Sequence, residues 1–223
     1  MAIARNTGIS HAAGKYVHFM DSDDMLKPDC YESMWALMEK NNFPELAIFH
    51  LKNMYNQFSK SLDGIDALET PEEKIKILGY GAPWYKFGRT DFFRKFLFPP
   101  GNVGGAEDAV WSWQIVLSAP KVHIYPKKFY YYRRVETGLI RGIDPTFRKQ
   151  RHMCECYAII KQWLIKNNFW DAPEYKAAFK KVLAGTRDHL KKRNKDLDVD
   201  ALIAEFPILV DKEDPTDYLS YML

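Results

Sequence analysis

The run Tyr16, Val17, His18, Phe19, Met20 is apolar in character and stops at Asp21, Ser22, Asp23 and Asp24. A short buried strand that ends in carboxylates is the most constraining feature of the chain, because an open sheet holds its ligands at the C-terminal ends of its strands. The flanking segments agree with such a sheet. Residues 5–13 read as a helix ended by Gly14, and residues 28–41 as a helix with Met34, Leu37 and Met38 on one face. Residues 46–51 read as a second strand, and strand, helix, strand in this order predicts an α/β fold.

Composition narrows the function classes. The 223 residues are 47% hydrophobic with a net charge of +3, enough for a full core and too little basicity for a general nucleic-acid binder. No window approaches the roughly 18 apolar residues of a membrane span, and residues 1–8 lack a secretory apolar region, so the expected location is cytoplasmic. Cys30, Cys154 and Cys156 are odd in number and read as reduced thiols rather than a metal site. Charge is unevenly placed. Residues 145–195 carry 13 basic and 4 acidic residues, residues 196–223 carry 1 and 8, and residues 1–144 are balanced. The expected organisation is therefore a body over 1–144 and a helical extension over 145–223 with an acidic tail. Helices are expected over 146–167 and 173–193. Either the tail lies against these basic helices or their charge faces an anionic membrane surface or a phosphate-bearing acceptor.

Further along, Pro99, Pro100, Gly101, Gly104 and Gly105 mark turns, residues 107–117 a helix, and residues 122–125 and 129–133 two strands. Asp21 and Asp23, two apart at a strand end, suit a hard cation such as Mg²⁺ or Mn²⁺ bridging to a diphosphate; the competing reading is helix capping. Glu107 and Asp108 after a glycine turn read either as an acid pair for proton transfer or as a dipole-favoured helix start. Trp84, Trp111 and Trp113 read as core aromatics or as sugar-stacking surfaces. Arg133, Arg134 and Arg141 read as solvated cations or phosphate contacts, and His11 and His18 as structural.

In sequence order, Ala4-Arg5-Asn6-Thr7-Gly8-Ile9, Ala12-Ala13-Gly14-Lys15-Tyr16-Val17 and Phe19-Met20-Asp21-Ser22-Asp23-Asp24, followed by Pro28 and Asp29, agree at about ten positions with one known pattern. They resemble the central motif of family 2 glycosyltransferases of the GT-A fold. Pro83-Trp84-Tyr85-Lys86-Phe87, Gly105-Ala106-Glu107-Asp108 and Tyr130-Tyr131-Tyr132-Arg133 resemble the family's later W-x-K, E-D and Y-x-Y-R segments, so the resemblance covers about residues 2–142. It implies a metal-dependent, inverting transferase of hexosyl type. Asp21 and Asp23 would hold Mn²⁺ or Mg²⁺ and the sugar nucleotide together with Arg5 and Asn6. Asp108 would be the base with Glu107 orienting it or binding the acceptor, and Trp84, Lys86, Trp111 and Arg133 are candidates for acceptor or phosphate contact. The implied donor is an NDP-sugar, of UDP type, and the implied acceptor a glycan or lipid-linked saccharide in polysaccharide biosynthesis.

The chain departs from that pattern at its start, where Met1 lies three residues before Ala4. The family's preceding strand, helix and strand, which bind the base and ribose, have no counterpart. The expectation is a partial GT-A, Rossmann-like mixed sheet lacking its first nucleotide-binding strands, with little activity alone. Two other readings stay open: a non-catalytic remnant or interaction domain, and a haloacid-dehalogenase-like phosphatase with Asp21 as nucleophile and Asp23 as acid and base. The second leaves the A-R-N and E-D segments unexplained. The basic helices would give peripheral contact with the inner membrane face.

Overall fold

A computed structural model describes residues 1–52, 62–100, 106–133, 146–213 and 215–219. The predicted turn at 101–105, together with Arg134 and Arg141, lies outside the described residues.

The expected α/β architecture is present as one mixed sheet with helices. In chain order the elements are α1 (Ala2–His11), β1 (Tyr16–His18), β2 (Met25–Leu26), α2 (Cys30–Lys40), β3 (Leu46–Lys52), β4 (Ala67–Leu68), α3 (Pro71–Leu78) and a 3₁₀ turn (Pro83–Tyr85). They continue with β5 (Lys86–Arg89), α4 (Thr90–Phe93), α5 (Glu107–Ser118), β6 (Val122–Tyr131), α6 (Arg148–Lys166), α7 (Pro173–Arg193), α8 (Val199–Ala204) and a 3₁₀ turn (Pro207–Val210). The strand order is β1-β5-β3-β6-β2, and β4 also pairs with β6. Among the described residues only β3 and β6 pair in parallel; the other pairs are antiparallel.

Three local features shape this sheet. β1 is shorter than predicted and ends at His18, so Phe19 and Met20 leave the ladder and carry the chain to Asp21. β5, absent from the sequence reading, slots between β1 and β3, which separates the two strands that the strand, helix, strand pattern had made neighbours. Its Gly88 is obligatory, since an added Cβ would lie 1.9 Å from the Phe93 ring. The two predicted strands at 122–125 and 129–133 are one strand, β6. Its register against β3 shifts between Phe49, opposite Tyr125, and His50, opposite Lys128. Pro126 falls in that irregularity, where a residue without an N–H costs no ladder bond.

The helices follow their caps. α3 carries a capping box: Thr70 Oγ1 accepts the Glu73 N–H at 3.3 Å and Glu73 Oε2 accepts the Thr70 N–H at 3.0 Å. α5 begins at Glu107, as predicted, and is buried along nearly its whole length. α6 and α7 close on the expected spans, with α6 packed on α5 and the Phe179 ring of α7 edge-on to Trp113 at 6.0 Å. The extension thus shares the body's hydrophobic core.

The acidic tail lies against the basic helices. Asp200 pairs with Arg187 at 2.6 Å and Lys191 at 2.7 Å, and Asp211 with Lys161 at 2.5 Å and Lys180 at 3.1 Å. No helix among the described residues is long and apolar enough to cross a membrane. Cys30, Cys154 and Cys156 are free and buried.

Candidate functional site

The acidic loop after β1 is held by β6. Lys27 N–H donates to the Phe129 carbonyl at 2.9 Å, and β2 pairs Leu26 with Tyr130 and Met25 with Tyr131. Inside the turn, the Tyr130 hydroxyl donates to Asp24 Oδ2 at 2.5 Å and accepts the Asp21 N–H at 3.2 Å. The other Asp24 oxygen accepts the Arg133 N–H at 2.8 Å. Asp24 is therefore buried and fully engaged. Behind it the Trp84 ring stacks on Tyr130 with centroids 4.5 Å apart. Of the acidic run, Asp24 is the anchor, while Asp21 is half-buried and Asp23 exposed.

Arg5 brings together two carboxylates 87 positions apart in sequence. Its guanidinium, nearly buried, donates through Nη2 to Asp21 Oδ1 at 3.3 Å and through Nη1 to Asp108 Oδ1. The Phe98 ring lies 5.3 Å beneath it. The Asp21 and Asp108 side chains keep about a third of their surface exposed, so both can reach a ligand. Burial raises the proton affinity of Asp21, the Arg5 charge opposes that, and Asp24 and Asp23 add to it. Asp108 is raised as well: burial dominates, Arg5 opposes, and Glu107 and Asp21 reinforce. One cation shared by two anions leaves the cluster short of positive charge.

Several predicted contact residues are placed elsewhere than on this surface. Trp111 is fully buried, stacked on Phe98 at 4.6 Å and edge-on to Phe19 and Phe93, so it belongs to the core instead of stacking on a sugar. Lys86 is fully buried and its Nζ donates to the carbonyls of Ala82 at 2.6 Å and Tyr80 at 3.2 Å; burial pulls its pKa well below the ordinary lysine range. It fixes residues 80–82, where Gly81 lies so close to α5 that a Cβ would sit 2.9 Å from Ala109 N. Asn6 pairs both halves of its amide with the Phe98 backbone, at 2.8 and 2.9 Å, and so holds that segment. Trp84 is nearly buried. Arg133 is exposed close to the acidic loop.

Glu107 is buried, 3.6 Å from His152 Nε2 of α6. His18 is uncharged: burial lowers its pKa to about 4, while Nε2–H donates to the Trp84 carbonyl at 2.8 Å. A cavity of about 390 Å³ is lined by His18 together with Lys15, Tyr31, Trp35 and Phe87 and by none of the acids.

Among the described residues no group of three or more His, Cys, Asp or Glu is gathered for a metal. The donor set on offer is two carboxylates, Asp21 and Asp23. Mg²⁺ commonly takes one or two carboxylates and completes its shell with water and substrate phosphates. The donors therefore fit a cation that arrives with a diphosphate and do not form a cage of protein ligands. The Tyr130 clasp and the bridging place of Arg5 escaped the sequence reading. The Y-x-Y-R resemblance pointed to the strand but gave Tyr130 no role.

Comparisons with known proteins agree with this architecture. Residues 1–81 match the model of glycosyl transferase family 2. An uncharacterized glycosyltransferase of Rickettsia felis is 52% identical over 112 residues, 49% of this chain and 18% of that protein. Glycosyltransferase GlyA of Streptococcus pneumoniae is 26% identical over 156 residues, 63% of this chain and 22% of that protein. The chain thus spans about a fifth of the length of these two relatives. The structure of Staphylococcus aureus TarS residues 1–349 in complex with UDP-GlcNAc aligns with a TM-score of 0.57 at 19% identity, covering 94% of this chain and 66% of that one. That likeness concerns the fold.

Proposed function

We propose that the chain, whose residues 1–81 match the model of glycosyl transferase family 2, transfers a sugar from a nucleoside diphosphate donor, of UDP type, to a hydroxyl of a glycan or lipid-linked acceptor. The observation that carries this reading is the meeting of Asp21 and Asp108 at Arg5, which puts the strand-end acid and the first turn of α5 on one surface. A UDP-GlcNAc complex of a protein with the same fold supports the choice of donor class.

The chemistry follows from the residues. Asp108 accepts the proton of the acceptor hydroxyl as its oxygen bonds to the anomeric carbon, and the carbon–oxygen bond to the diphosphate breaks with its electron pair leaving on the diphosphate. Attack opposite the leaving group inverts the anomeric centre. The raised proton affinity of Asp108 suits a base that must hold the proton it takes. Arg5 aligns both carboxylates and opposes the upward push of burial on Asp108. Asp21 and Asp23 would hold Mg²⁺ or Mn²⁺, which when bound neutralises charge developing on the departing diphosphate. Asp24 and Tyr130 keep the loop that carries them in one conformation.

The test is a calorimetric titration of the folded chain with UDP and GDP, with and without Mn²⁺, beside Asp23→Ala. UDP binding that requires both the metal and Asp23 is the expected result. A folded chain that binds neither nucleotide under any of these conditions contradicts the proposal.

A further inference from the structure

Helix α6 of the C-terminal extension grips the N-terminus of α5 with two side chains one turn apart. His152 Nε2 lies 3.6 Å from Glu107 Oε1 and 3.7 Å from Cys156 Sγ, and its Nδ1–H donates to Glu155 Oε2 at 3.0 Å. Cys156 in turn hydrogen-bonds with the backbone of Ala106, the residue that caps α5. Glu107, Cys156 and His152 are all buried.

We propose that His152, with Cys156, is a positioning residue for Asp108: the pair fixes residues 106 and 107 and so holds the next carboxylate against Arg5. This rests on the reading of Asp108 as the base. Asp108 lies in the first turn of a rigid helix, so its carboxylate goes where residues 106 and 107 are held. A buried carboxylate beside a base also repels the base's own charge, and a cation on its far side offsets that repulsion. The groups facing His152 are Cys156 and Glu155 from its own helix and Glu107 from α5; those around Asp108 are Arg5, Glu107, Asp21 and Lys86. The Cys156 thiol and the Glu107 carboxylate hold the His152 imidazolium in its charged form well above the usual histidine range. The extension is on this account part of the working site and more than a cover for the sheet.

The experiment uses the full chain and three variants, His152→Gln, Glu107→Gln and the double variant, each checked for folding by thermal unfolding. Transfer to acceptor is followed across pH. His152→Gln should lower kcat about tenfold at neutral pH, leave the donor KM within about twofold, and move the acid limb of the profile upward. The double variant, with both charges gone, should bring the limb back toward the original. A second arm needs no turnover: ¹⁵N NMR should show His152 protonated above pH 8, and ¹³C NMR of the carboxyls should show Asp108 titrating higher in His152→Gln. If no variant transfers sugar but the second arm behaves as stated, the function assigned above fails and the positioning stands. An unchanged Asp108 titration in a folded His152→Gln overturns the positioning. Should that variant not fold, Glu107→Gln decides, since it must lower the proton affinity of both His152 and Asp108; no change in either overturns the proposal.

Discussion

Asp200 and Asp211 in the acidic tail and Asp21 and Asp108 at the head of the sheet are the same residue in opposite surroundings. Each tail aspartate meets two cations, and both are held below the ordinary carboxylate range, chiefly by hydrogen bonds from Arg187 for Asp200 and from Lys161 for Asp211. Asp21 and Asp108 share one guanidinium and are both pushed up by burial. Asp200 and Asp211 have their charge matched by the helices, whereas Asp21 and Asp108 are left with one shared cation, and carboxylates perturbed in that way make the head the candidate site.

The sharpest way to break this comparison is to neutralise one acid in each region. Asp108→Asn should reduce sugar transfer by about 10²- to 10⁴-fold with little change in UDP affinity, since a base acts in the chemical step. Asp200→Asn should leave transfer unchanged. In the unmodified chain, kcat/KM should fall on the acid side at a pH above the ordinary carboxylate value near 3.8, because Asp108 is raised. Equal rates for the two variants would remove the distinction.

His18 extends the comparison to a titratable group with no charge partner. Its folded pKa of about 4 lies below the unfolded 6.5, so the unfolded chain binds more protons between those values. Its contribution is intact above about pH 6.5 and is lost as pH falls toward 4, by up to about 3 kcal/mol. Denaturant unfolding at pH 7 and pH 4.5 should show a smaller acid loss in His18→Phe than in the parent chain.

Tyr130→Phe probes the clasp inside the acidic loop. Removing the hydroxyl leaves buried Asp24 short of a donor and should cost about 1–3 kcal/mol in urea unfolding. The smallest effect belongs to the tail: Asp200→Ala removes exposed pairs, and its change in thermal midpoint should be near the measurement error and vanish in high salt.

Much of this molecule is written locally. The start of α5 at Glu107 and the spans of α6 and α7 follow from periodicity and end signals over a few residues, whereas β1 stops at His18, short of the acids. The Thr70–Glu73 capping box was equally local, and its helix was legible though unread. What the sequence hides is which partner a polar side chain finds across the fold. Lys86 and Asn6 look like ligand contacts until the chain closes and offers them the backbone of residues 80–82 and Phe98. Trp111 has the same composition signal as a sugar platform, and only packing puts it between Phe98 and Phe93. Arg5 joins acids contributed by the loop after β1 and by α5, and Tyr130 reaches Asp24 across 106 positions. Pairings of that range depend on the strand order, above all on the insertion of β5 between β1 and β3.

The most direct test of the account is a ¹³C NMR titration of the aspartate carboxyls in the folded chain, repeated with UDP and Mn²⁺. Asp21 and Asp108 should titrate above the ordinary range and Asp200 and Asp211 below it, and the nucleotide with its metal should move Asp21, Asp23 and Asp108 alone. Four aspartates that titrate together, or a nucleotide response in the tail and none at the head, would contradict it.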